Sequence, residues 1–250
     1  MNILLILIGY SIGNINPAYI ISKVKNTNIS KVGSNNPGAS NITMTFGWKL
    51  GIVTAFTDIL KAFLPVLIIK LLGYTDIELL IFGTSIIIGH IYPVVFKFKG
   101  GKGTASFIGM ILAISPLHGF FIGLILVIGT VITDYIALGT IFMMSGYLIF
   151  NLFQYSTEYF FISAIIPILS YYKHFPNIIK IIDKTESGLR GVLKKWCILH
   201  HFFFEFSLSS RSFQKKKDTN VSYNFFIMKW SSEPSGTSLV IPITVYPSFS

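Results

Sequence analysis

Long apolar runs separated by short polar breaks recur over the first 187 positions. A membrane-spanning helix needs about 20 such residues. The first run, 3–24, is interrupted by Asn14, Asn16 and Pro17. Such groups are costly in lipid and are expected to face other helices. A polar segment, 25–49, follows. The next runs are 51–72, carrying Asp58 and Lys61, and 77–95. The stretch 104–133 breaks at Ser115-Pro116, which predicts two short spans in a hairpin. Runs at 136–152 and 159–172 complete the series. The pattern predicts an all-α membrane protein of about seven transmembrane helices. The apolar start at Met1 lacks a basic flank, so it reads as part of the first span rather than a cleavable leader.

Lysine placement orients these spans. Lys23, Lys25, Lys31 and Lys49 flank the first loop, and Lys97, Lys99 and Lys102 occupy the third. Lys173, Lys180 and Lys184 follow the last span. The turns near 76–78, 115–118 and 151–158 contain no lysine, and only Lys70 lies close to one. The positive-inside rule then puts the amino terminus outside and the lysine-bearing loops in the cytoplasm.

Composition agrees. The chain is 52% hydrophobic and 12% charged, with a mean hydropathy of +0.67. A soluble domain carries about twice that charged fraction. The net charge of +10 fits loops facing anionic lipid heads. The body lacks the clustered basic face of a nucleic-acid binder. Cys197 is the single cysteine, which excludes an internal disulfide framework and a cysteine-based zinc site. After Ser187 the composition shifts: both arginines, Arg190 and Arg211, lie beyond it, with Lys215, Lys216 and Lys217 among serines and aromatics. The chain therefore divides into a membrane domain, 1–187, and a tail, 188–250. The tail reads as disordered, a small appendage or a non-native translation product; its apolar stretch 238–245 suits a strand.

The candidate chemistry lies in the inside loops. Residues 89–109 read GHIYPVVFKFKGGKGTASFIG. Glycines let a backbone approach a ligand and expose its N–H groups, and lysines add mobile positive charge, so this stretch suits a phosphate. It is not a nucleotide P-loop: that spacing needs glycine where Phe96 stands, and Ser or Thr where Gly103 stands. Residues 33–41, GSNNPGASN, offer amides, hydroxyls and backbone N–H groups suited to phosphate or glycerol oxygens. Taken alone, the same residues read rather as an ordinary turn before a capped helix. Asp58 and Lys61, three apart, share a helix face and form either a functional pair or a structural one. His90 has the intrinsic pKa of a general base. His174 and Asn177 fall in a last cluster just inside the membrane.

These four motifs, in this order and spacing over roughly 3–187, resemble the bacterial acyl-phosphate:glycerol-3-phosphate acyltransferases. The resemblance implies a multi-pass protein of the bacterial cell membrane, active at its cytoplasmic face. It implies transfer of a fatty acyl chain from acyl phosphate to the first hydroxyl of glycerol 3-phosphate, giving lysophosphatidic acid and phosphate. No metal or organic cofactor is implied, and no nucleic-acid partner. By resemblance, Gly33, Ser34, Asn36 and Ser40 line the substrate pocket, while Lys99, Gly100, Gly101, Lys102 and Gly103 hold phosphate. His90, Lys102 and Asn177 are the catalytic candidates; Asp58, Lys61 and His174 join the substrate-binding set. Whether His90 or a substrate phosphate oxygen takes the hydroxyl proton is left open. A non-catalytic paralogue or lipid or anion transporter of the same fold is the alternative, and a basic membrane-surface interaction protein a third. The loop position favours the enzyme, because transporter sites lie near the bilayer midplane.

Overall fold

The computed structural model describes residues 3–192 and two short strands. The chain divides into two compact units, Met1–His200 and His201–Ser250. In the second, Trp230–Ser231 (β1) pairs antiparallel with Ser238–Leu239 (β2). Residues 193–229, 232–237 and 240–250 lie outside the described residues.

The first unit is helical. Its elements are α1 (Ile3–Gly13), α2 (Pro17–Val24), α3 (Ala39–Phe46), α4 (Trp48–Leu71), α5 (Asp76–Ile91), α6 (Thr104–Ile114), α7 (Pro116–Thr133), α8 (Ile136–Gln154) and α9 (Thr157–Ile182). Five stretches are long and apolar enough to cross a membrane: Ile3–Val24, Trp48–Leu71, Asp76–Phe96, Pro116–Thr133 and Ile136–Gln154. α6 is a shorter apolar helix. The protein is a membrane protein whose outer surface is apolar: Phe56, Leu64 and Ile68 on α4 and Phe120, Phe121 and Ile132 on α7 are exposed. In lipid such side chains are at home. The enclosed core runs along α5, where Phe82, Ile86 and Ile87 meet Phe107, Met110 and Ile111 of α6 and Tyr147 of α8.

Small residues let the helices approach, as expected where lipid offers no hydrophobic drive. A Cβ at Gly13 would strike the carbonyl of Ile86, one at Gly89 that of Tyr10, and one at Gly109 that of Ile59. These contacts seat α1 on α5 and α6 on α4.

The interruption expected in the first run is a true break. Asn16 caps α2, its Oδ1 accepting from the N–H groups of Ala18 (2.9 Å) and Tyr19 (3.3 Å), with Pro17 in the first turn. Asn14 and Asn16 are both buried. The predicted break at Ser115-Pro116 also stands, between α6 and α7. Lys70, the lysine outside the orienting pattern, has a local task. Its Nζ donates to the carbonyls of Ile114 (2.7 Å) and Ala113 (3.3 Å), closing the end of α6.

Two expectations need correction. The last helix does not stop at Tyr172 but continues through Pro176 to Ile182, so Lys173, His174 and Asn177 stand on a helix. The polar segment 25–49 is also not all loop: it contains a 3-10 turn, Ile29–Lys31, and the helix α3.

Candidate active site

The first loop is pinned from within. The side chain of Asn41, fully buried on α3, donates to the carbonyls of Ile29 (3.1 Å) and Val32 (2.9 Å) and accepts from the N–H of Ser34 (2.9 Å). Gly33 has φ +59°, and a Cβ there would fall on Asn41 Oδ1, so glycine is required twice over. Asn16 Nδ2 donates to the carbonyl of Pro37 at 3.2 Å and ties the loop to the α1–α2 break. The side chains of Ser34 and Asn36, half-buried, and of exposed Ser40 make no hydrogen bond among the described residues. They remain available to a ligand.

The second loop folds back on the end of α5. The N–H groups of Gly100 and Gly101 donate to the carbonyls of Ile91 (3.2 Å) and His90 (3.1 Å). Those two N–H groups are therefore spent within the fold, so the donors this loop offers to an anion lie elsewhere. The glycines are needed for contact instead. A Cβ at Gly100 would meet the His90 and Ile91 carbonyls, and one at Gly101 would fall on His90 Nε2. Free N–H groups occur one step later. Those of Lys102, Gly103, Thr104 and Ala105 donate to no group among the described residues, and Gly103, at φ +85°, gives α6 no side-chain cap. The donors this motif leaves open are thus those at the amino terminus of α6, a candidate cradle where free N–H groups and the helix dipole favour an anion.

Lys102 stands at this terminus. Its Nζ donates to Asn177 Oδ1 on α9, and Asn177 Nδ2 donates to Glu186 Oε1 at 2.7 Å. Burial lowers the Lys102 pKa to about 8, opposed by Glu186 and aided by Lys180 and Lys173. The motifs near 102 and 177, 75 residues apart, meet here. His174, one turn before Asn177, is buried, with Nδ1 at 3.1 Å from the carbonyl of Ser170. A carbonyl only accepts, so that nitrogen carries the proton. Lys173 lies over the ring of Tyr92, 4.4 Å from its centroid. Lys99, by contrast, is exposed and its ammonium has no partner among the described residues; its backbone is engaged, the N–H donating to the Phe96 carbonyl (3.1 Å) and the carbonyl accepting from the hydroxyl of Tyr19 (2.8 Å).

Beside the cradle lies the intramembrane cluster. Lys61 Nζ is 2.6 Å from Asp58 Oδ1 and 2.5 Å from His90 Nδ1, and donates to the carbonyl of Ile15 at 3.0 Å. All three side chains are buried. The sequence spacing predicted the Asp58–Lys61 pair, but not its junction with His90 and the α1–α2 break.

Tyr19 was not singled out from sequence, and Asn41 and Glu186 stood in candidate clusters without an assigned role. Tyr19 stacks on Phe96 with centroids 3.9 Å apart, and its hydroxyl meets Ser30 Oγ (2.8 Å) as well as the Lys99 carbonyl. It fastens the two loops together, a role no local motif signals. Asn41 sat at the end of the glycine–asparagine motif without an assigned task. Glu186 was visible as an acid among lysines.

The glycerol-3-phosphate acyltransferase family model matches residues 3–184. The chain is 37% identical over 198 residues to glycerol-3-phosphate acyltransferase 1 of Oceanobacillus iheyensis, covering 76% of this chain and 95% of that protein. It is 34% identical over 184 residues to the glycerol-3-phosphate acyltransferase of Aquifex aeolicus, covering 73% and 96%. Among solved structures it is similar to PlsY (YgiH), an integral membrane glycerol 3-phosphate acyltransferase, in its glycerol 3-phosphate form. There the TM-score is 0.70 at 33% identity, covering 74% of this chain and 94% of that one. The lysophosphatidic acid form of PlsY matches with a TM-score of 0.68. Sequence, motif order and helical arrangement agree, and the chain belongs to the glycerol-3-phosphate acyltransferase family.

Proposed function

We propose that this protein transfers a fatty acyl group from acyl phosphate to the first hydroxyl of glycerol 3-phosphate. The products are lysophosphatidic acid and inorganic phosphate. The hydroxyl oxygen attacks the acyl carbonyl carbon, the bond from that carbon to the phosphate oxygen breaks, and the hydroxyl proton passes to a phosphate oxygen or a nearby base. The observation that carries the reading is the open amino terminus of α6 flanked by Lys102 and Asn177. Both substrates are phosphates, and acyl phosphate is already activated. Oriented N–H donors and one lysine charge therefore supply what the step needs, which is positioning and stabilisation of the leaving phosphate. Ser34, Asn36 and Ser40 offer uncommitted polar groups for the glycerol moiety. A groove of 440 Å³ between α8 and α9, lined by Ile141, Ser145, Tyr171, Tyr172, Phe175 and Ile178, suits an acyl chain.

In this reading the membrane unit makes seven passes. The five long apolar stretches are joined by α6 and by α9, the amino terminus lies outside, and both substrate loops face the cytoplasm of a bacterial cell. The reaction needs no cofactor. The test is turnover by the purified chain in lipid, with glycerol 3-phosphate and a long-chain acyl phosphate. Lysophosphatidic acid and phosphate are expected in equal amounts. Absence of product above background from folded protein, with Lys102→Ala indistinguishable from the parent, refutes the reading.

A further inference from the structure

Lys61 sits within the bundle with its whole hydrogen-bonding capacity turned toward protein. An ammonium has three protons and no acceptor. Three acceptors surround Lys61 Nζ: Asp58 Oδ1 at 2.6 Å, His90 Nδ1 at 2.5 Å and the Ile15 carbonyl at 3.0 Å. The carboxylate makes Lys61 the cation, so His90 Nδ1 must offer its lone pair. The ring's proton then resides on Nε2. Nε2 has no hydrogen-bond partner among the described residues and abuts Gly101, where any Cβ would displace it. The Gly101 N–H is itself bound to the His90 carbonyl, so the ring and the loop are held together by backbone and by contact.

We propose that Asp58 and Lys61 are positioning residues that fix His90 as the Nε2–H tautomer, making His90 a hydrogen-bond donor to a substrate oxygen held over Gly101. They take no part in binding the substrate themselves. His90 then has no lone pair facing the loop and cannot accept the hydroxyl proton there. The role of His90 in turnover rests on the acyl-transfer reading; its tautomer does not.

Two measurements separate these. Nitrogen-15 NMR of the full chain in lipid, histidine-labelled and assigned by the signal lost in His90→Gln, reads the tautomer directly. The expected spectrum has an unprotonated Nδ1 and a protonated Nε2. Lys61→Met mixes the tautomers and Lys61→Gln, which keeps an N–H donor, restores the parent pattern. A protonated Nδ1 in the parent overturns the proposal, whether or not the Lys61 variants fold. In the turnover assay, His90→Ala loses roughly ten- to hundredfold in kcat, the cost of one donor to a charged oxygen. His90→Gln, whose amide N–H reaches near the Nε2 position, recovers part of that loss. Equal loss in both variants, with glycerol 3-phosphate still bound, overturns the donor role. A parent with the expected tautomer and no turnover sinks the acyl-transfer reading and leaves the positioning role standing.

Discussion

Binding of glycerol 3-phosphate should weaken as pH rises through about 8, because Lys102 loses its charge there. Burial disfavours the ammonium and sets that value well below the ordinary lysine range. Below pH 8 the charge is present and faces the cradle; above it the amine is neutral and the cradle keeps only its N–H groups. If the charged form alone binds well, about 90% of the protein is competent at pH 7 and about 10% at pH 9, so Kd rises roughly tenfold between them. The ligand does not confound the interval from pH 7 to 9, since a phosphate monoester's second ionisation has its midpoint near pH 6 and is about 90% complete by pH 7. Folding gives an opposite sign. The unfolded chain keeps its lysine proton to about 10.4, so between 8 and that value the unfolded state holds more protons and stability rises with pH. Weakening affinity with rising stability cannot be mistaken for denaturation. The assay is equilibrium binding of labelled glycerol 3-phosphate to the chain in lipid from pH 6.5 to about 9.5, beside a denaturation midpoint at each pH. Lys102→Arg, which does not titrate there, should bind with a flat profile. A parent profile as flat as that of Lys102→Arg refutes the placement of Lys102 at the anion.

Four further outcomes can be checked separately. Gly101→Ala drives a methyl into His90 Nε2 beside a loop held at both ends, and should cost roughly 1–3 kcal/mol, read as a lower denaturation midpoint together with lost turnover. Asp134→Ala removes the acceptor of the Arg190 N–H (2.8 Å) and an exposed ion pair of 4.0 Å; the loss should stay within about 1 kcal/mol, with turnover kept, and a chain ending at Val192 should also turn over. In a Cys197→Ser background, a cysteine at Lys97 should resist a membrane-impermeant maleimide added to whole cells while one at Glu158 reacts; the reverse pattern would invert the proposed topology.

The apolar runs, their two breaks and the meeting of loop and last-helix motifs were legible because each rests on local chemistry: hydropathy, proline and asparagine at a break, lysine beside an anion site. What was not legible needs partners distant in the chain. Tyr19 reads as one more aromatic in an apolar run until Phe96 and Lys99 lie against it. Lys70 reads as a misplaced charge until the open carbonyls of α6 reach it. The end of α9 was misplaced because the apolar run ends at Tyr172, before Lys173, whereas the established helix continues through Pro176 to Ile182.

The glycine motif shows how one residue type can serve two tasks. Glycine permits both a bare N–H and a close contact, and the sequence cannot separate the two. Here Gly100 and Gly101 turn their N–H groups inward to the last carbonyls of α5. That capping locks the loop, and the lock brings Lys102 and the free N–H groups of α6 to the point where α5 ends. An anion there meets a rigid set of donors, with no loop ordering to oppose binding. The buried Asp58–Lys61–His90 cluster extends the same logic into the bilayer. It costs desolvation, and on the proposed reading its return is the fixed orientation of one imidazole against the loop proposed to hold the substrate.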